Sequence, residues 1–135
     1  MKMNKKLIYN CLMIGLILST TSFADSEVSI MNASTDHNYQ YIILEVTDGA
    51  GHFVYQYEVP GTLYFNGTPN TYIFYGADIS KELNGHYLSV IGYPDDYPTF
   101  MKTVQCPVSK KINTSTYYNV GFAFQNNHTC SILWQ

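Results

Sequence analysis

Beyond its first two dozen residues, apolar and polar positions alternate along most of this chain. That is the period of a half-buried strand, not of a helix. From Tyr39 to Val46 the alternation sets Gln40, Ile42, Leu44 and Val46 on one face and Tyr39, Tyr41, Ile43 and Glu45 on the other. Asp48-Gly49-Ala50-Gly51 is a turn signal, after which Phe53, Tyr55, Tyr57 and Val59 alternate with Val54, Gln56 and Glu58. The two segments predict a hairpin with one shared apolar face. Leu63 to Phe65 and Thr71 to Tyr75 read as shorter strands parted by Asn66-Gly67. Ala77 to Leu83 is the one place for a helical turn, with Asp78 and Ser80 as capping residues.

The second half repeats the pattern. Tyr87 to Tyr93 turns Leu88 and Val90 inward against Tyr87, Ser89 and Ile91, and a proline-bounded loop follows. Phe100 to Val108 is a strand carrying Cys106, with Pro107 marking an edge or bend. Thr116 to Phe124 lines up Tyr118, Val120, Phe122 and Phe124, then Asn126-Asn127 turns the chain into Thr129 to Trp134. About eight short strands at this spacing predict an all-β fold, a small antiparallel β-sandwich of immunoglobulin-like type. The tryptophan that sits between bridged cysteines in immunoglobulin domains is absent, because Trp134 follows both cysteines. A membrane barrel would need strands of about 9 to 11 residues, longer than most runs here.

The opening residues have a separate logic. Lys2, Lys5 and Lys6 precede the apolar run Leu12 to Leu18, and Ser22-Phe23-Ala24 gives a small-residue exit. This pattern predicts a signal peptide over 1–24, cleaved between Ala24 and Asp25, and one domain over 25–135. The apolar run is well short of the about 20 residues that span a bilayer. The expected product is exported, periplasmic or extracellular, and does not span the membrane after cleavage. Cys11 leaves with the leader. Cys106 and Cys130 remain, and in an oxidising compartment they are expected to form one disulfide.

Charge narrows the partners. All ten acidic residues lie beyond Ala24 with only four of the seven lysines, for a mature charge of −6, and the chain has no arginine. Nucleic acid is therefore not an expected partner, since phosphate binding rests on clustered Lys and Arg. Four N-x-S/T triplets, at Asn32, Asn66, Asn113 and Asn127, fall in turn-like sequence, and the short lysine-only leader is of bacterial type, so they are read as unmodified.

Candidate chemistry is sparse. Twelve of the thirteen tyrosines lie in the mature chain, and Tyr39, Tyr41, Tyr87 and Tyr117 are expected on the face opposite the apolar one. Tyrosine offers a large rigid surface with a polar rim, which suits protein partners and sugar rings alike. The loop Gly92 to Pro98 sets Tyr93 and Tyr97 around Asp95 and Asp96, aromatic plates beside carboxylates, as a sugar-binding loop requires. Two adjacent aspartates fall short of the about six oxygens that calcium takes. His37, His52, His86 and His128 lie in or beside turns without metal-ligand spacing, and no G-x-S-x-G or H-E-x-x-H occurs. No catalytic residue, metal or cofactor is expected. The sequence thus predicts an exported, non-catalytic binding module for a protein or carbohydrate partner, through the tyrosine-rich face or the Tyr93 to Tyr97 loop. Two alternatives stand beside it: a structural or assembly protein that pairs through an exposed strand edge, and a small secreted enzyme or metal-binding protein.

Overall fold

Val28 and Ile30 alternate with Ser29 and Met31 at the start of the described chain, and this short run is the first strand of the fold. A computed structural model describes residues 25–96 and 103–135. Residues 1–24, where the leader and its Ala24 cleavage site are expected, and the loop residues Tyr97 and Pro98 lie outside it. Eight strands and one helix follow in order: β1 Glu27–Asn32, β2 Tyr39–Thr47, β3 Phe53–Glu58, β4 Thr71–Tyr75, α1 Gly76–Leu83, β5 Tyr87–Pro94, β6 Val104–Gln105, β7 Asn119–Gln125 and β8 Thr129–Trp134. They form two four-stranded sheets, ordered β4-β1-β7-β8 and β3-β2-β5-β6. This is the small all-β sandwich that the alternation predicts.

The core is the sum of the inward positions. Val28, Ile30, Val120, Phe122 and Phe124 from one sheet meet Ile42, Leu44, Val46, Leu88 and Val90 from the other, all of them buried. Each such side chain contributes about 1.5 to 3 kcal/mol by leaving water. Tyr118 completes the inward row expected for the strand that became β7, and its hydroxyl bonds Ser80 at 2.8 Å. Helix α1 closes one end by burying Ile79 and Leu83. Its N-cap is Tyr75, which makes no side-chain capping bond, so Asp78 and Ser80 lie inside the helix instead of capping it. No helix among the described residues is long and apolar enough to cross a membrane.

Cys106, just past β6, is bonded to Cys130 of β8 across a Cα separation of 4.8 Å. The expected disulfide therefore ties the two sheets together at their β6 and β8 edges.

Three expectations need correction. The strand β1 was not foreseen, whereas Leu63 to Phe65 contributes only a single bridge from Leu63 to Tyr39, so the count of eight holds with different members. The sandwich is not wholly antiparallel, because β1 runs parallel to β7 over Glu27 to Asn32. The third concerns Tyr39. The β2–β5 register shifts between Tyr39 and Tyr41, so Tyr39 pairs with Pro94 and Tyr41 with Tyr93. An irregularity of this kind breaks the strict alternation of a strand, and it turns Tyr39 into the core, fully buried and stacked on Phe124 at 4.0 Å, while Gln40 is exposed.

Candidate functional site

Three connections meet at one end of the sandwich: the β1–β2 loop, the turn after β5 and the β7–β8 hairpin. Asn32, buried at the end of β1, shapes the first. Its amide donates to the carbonyls of His37 at 2.8 Å and Leu63 at 2.9 Å, and its side-chain oxygen accepts from the backbone of Ser34 at 3.1 Å. That pins the carbonyl of His37 and presents its ring to the loop end. The second connection is clamped to the first: Asp95 N donates to Asn38 O at 2.8 Å, and Asn38 N returns a bond to Asp95 Oδ2 at 3.2 Å. The third is docked by Asn127 N to Asp36 Oδ2 at 3.1 Å and by Thr35 N to Asn126 Oδ1 at 2.6 Å.

This scaffolding converges four titratable side chains. His37 Nδ1 lies 3.1 Å from Asp95 Oδ1, and His37 Nε2 lies 3.8 Å from Asp96 Oδ2. His128 Nε2 lies 3.0 Å from the same Asp96 oxygen, and the two imidazole rings are 4.3 Å apart. His128 and Asn127 both hold left-handed backbone, φ 57° and 65°, where glycine is the least costly residue. Histidine and asparagine are among the residues that tolerate it, and the conformation carries His128 to Asp96. Tyr39 lies in the core on the sandwich side of this end. Burial, foremost, and the negative fields of Asp36, Asp96 and Asp95 hold its phenol well above the ordinary range, and its hydroxyl has no hydrogen-bond partner among the described residues.

The tyrosines divide. Tyr41 and Tyr93 are cross-strand neighbours on the outward face of β2 and β5, with ring centroids 5.3 Å apart in an edge-to-face pair. The Tyr41 hydroxyl donates to Glu58 of β3, and that bond raises the phenol's proton affinity. Tyr93 is followed after Pro94 by Asp95 and Asp96, so the aromatic pair and the histidine–aspartate cluster are continuous in chain. Tyr87 shares that outward face but sits six positions away along β5, about 20 Å by strand rise, over the Asp48 to Gly51 turn. Tyr117 is on the other sheet's side, exposed, its hydroxyl 3.3 Å from the Asn119 amide. The expected tyrosine face is thus a Tyr41–Tyr93 pair with Tyr87 at a distance, and neither Tyr39 nor Tyr117 belongs to it.

Sequence reasoning singled out Asp95 and Asp96 but passed over His37 and His128. Their separation of ninety-one positions carries no ligand spacing. The usable signal was weaker: Asp36-His37 and Asn127-His128 each put a polar residue beside a histidine in a turn.

No protein-family model matches the chain, and no curated protein matches it. Among solved structures it is similar to an NMR structure of a protein from Eubacterium rectale, with a TM-score of 0.44 and 12% identity over 83% of this chain and 89% of that one. It is also similar to pneumolysin, TM-score 0.41 and 6% identity over 82% of this chain, and to the human-specific toxin intermedilysin, TM-score 0.41 and 10% identity over 82%. This chain spans 23% of each of the latter two.

Proposed function

We propose that the protein is an exported, non-catalytic recognition module that binds a protein or carbohydrate partner at the Tyr41–Tyr93 face of the β3-β2-β5-β6 sheet. The observation that supports this reading is the edge-to-face pair of Tyr41 and Tyr93 on an outward sheet surface, with the Glu58 carboxylate held against the Tyr41 hydroxyl. A sugar ring can stack on such a plate and give a hydroxyl to the Glu58 carboxylate, and a peptide can use the same rings as anchors. The tyrosine hydroxyl held by Glu58 is already oriented, which lowers the entropy lost on binding. The disulfide between the sheets supports export, since such bonds persist in oxidising compartments.

The test is a glycan array run beside binding to envelope and host extracts, using purified protein with its disulfide intact. Saturable binding that is lost in the Tyr41→Ala/Tyr93→Ala variant, with an unchanged melting temperature, is the expected result. Binding that survives the double substitution removes this face from the proposal.

A second reading, assembly through a strand edge, has its own observation. β3 ends the sheet, and its Phe53, Val54 and Tyr55 are all exposed on a strand without a basic residue. Unpaired edges of this kind are normally blunted by charge or proline because they add strands from other chains. Val54→Lys should leave the fold intact and abolish association on a sizing column if the edge is used. Concentration-dependent oligomers that persist in that variant exclude it.

A further inference from the structure

We infer that His37, Asp96 and His128 form a binding site for a divalent transition-metal ion, with zinc the best match, and that Asp95 positions His37 for it. The three ligand atoms come from three separate connections and lie within 4.8 Å of one another. Two imidazole nitrogens and one carboxylate oxygen suit zinc, which takes such ligands in tetrahedral sites and often leaves a fourth position to water or to a group on a partner. Calcium is a poor match, because it takes about six or more oxygens.

Asp95 is the observation that separates this arrangement from a chance meeting of polar side chains. Metal-bound histidine typically donates its other ring N–H to a carboxylate, which fixes the tautomer and aims the free lone pair at the metal. His37 does this with Nδ1 toward Asp95 Oδ1 at 3.1 Å, leaving Nε2 on the side of Asp96 and His128. Asp95 is itself fixed by the bond its N–H donates to Asn38 O and by the one its Oδ2 accepts from Asn38 N. A neutral imidazole has only one N–H, so with Nδ1 committed to Asp95 the Nε2 lone pair faces the Asp96 carboxylate at 3.8 Å. Lone pair and carboxylate repel unless positive charge lies between them. A metal ion placed between them supplies that charge to all three ligand atoms. His128 reaches its place only through left-handed backbone, and the side chains of His37, Asp96 and His128 are 20%, 32% and 17% exposed, half-shielded yet open to an entering ion.

The experiment is zinc binding to the purified protein with its disulfide formed, measured by competition with a chromogenic chelator and followed by the histidine ring resonances in NMR spectra. The expected result is one zinc per chain, with the rings of His37 and His128 shifting and those of His52 and His86 unmoved. His37→Ala and His128→Ala should each weaken zinc at least 100-fold. Asp95→Asn should weaken it about 10- to 100-fold while stoichiometry is kept, the mark of a positioning residue. His52→Ala is the internal control, because His52 has the same kind of carboxylate partner in Asp48 at 3.1 Å but no third ligand among the described residues. The proposal is overturned if zinc leaves the His37 and His128 resonances in place, or if it shifts all four histidines alike. Wild-type affinity in the folded His37→Ala/His128→Ala protein overturns it equally. The ring resonances of the unsubstituted protein decide the matter even where a substitution prevents folding.

Discussion

Gly92 shows how one residue sets the geometry of the candidate site. A Cβ placed there would lie 2.4 Å from the Phe124 ring and 2.8 Å from the Tyr39 ring, both of them fully buried. The two stacked rings therefore occupy space that any side chain at 92 would need, and their stack holds up the turn that carries Asp95 and Asp96. Gly92→Ala should destabilise the protein by about 3 kcal/mol in chemical denaturation, the upper part of the usual overpacking cost. Tyr39→Phe should act in the opposite direction. Its hydroxyl is buried without a hydrogen-bond partner among the described residues, so removing it relieves a desolvation cost and should leave stability unchanged or raise it by up to about 1 kcal/mol. A loss of more than 1 kcal/mol in the phenylalanine variant would show that the hydroxyl has a partner after all. Neither role was legible in the sequence. The alternation of β2 assigned Tyr39 outward because a strand reading assumes one residue per step, and the register shift before Tyr41 breaks that assumption where no glycine or proline announces it.

At the scale of elements, legibility followed locality. Thr71–Tyr75 and Thr129–Trp134 were read with their observed bounds, and β2, β3 and β5 to within one residue at an end, because turn residues bracket each run. β1 was passed over because it follows the expected leader directly, with only Asp25 and Ser26 between, and its role as the central parallel partner of β7 depends on a chain segment ninety-two positions away. The meeting of His37 and His128 with Asp96 escaped for the same reason: loop ends meet through sheet order, and pattern does not encode sheet order. The disulfide was legible because only two cysteines remain once Cys11 is assigned to the leader. Its energetic weight belongs to this scale too. Cys106 and Cys130 are 24 positions apart, and closing such a loop restricts the unfolded chain by about 3 kcal/mol in the chain-entropy model. The Cys106→Ala/Cys130→Ala double variant should lose about that much in denaturant titration. A loss near zero would mean that β6 and β8 are held together as well without the bond.

For the whole molecule, the many tyrosines bind its stability to pH on the alkaline side. Tyr39, Tyr57 and Tyr118 contribute to the packed interior, and each has its phenol held above the ordinary 10.0. Burial is the leading cause in all three. For Tyr57 the bond to Glu82 at 2.8 Å adds to it, and for Tyr118 the bond to Ser80 works against it. The folded protein therefore keeps these protons over a range in which the unfolded chain releases them. Their stabilisation is fully present below pH 10 and is lost as pH rises through the higher folded values, because unfolding then liberates protons that the native state holds. Denaturant titrations at rising pH should give a stability that falls from about pH 10 upward, with a slope that reports the extra protons retained in the native state. Absorbance titration should show Tyr39 ionising only as the fold is lost. The Tyr39→Phe/Tyr57→Phe/Tyr118→Phe variant should flatten the alkaline slope. A slope unchanged by the interior substitutions would locate the alkaline sensitivity outside the core and break the link between tyrosine content and the stability of this sandwich.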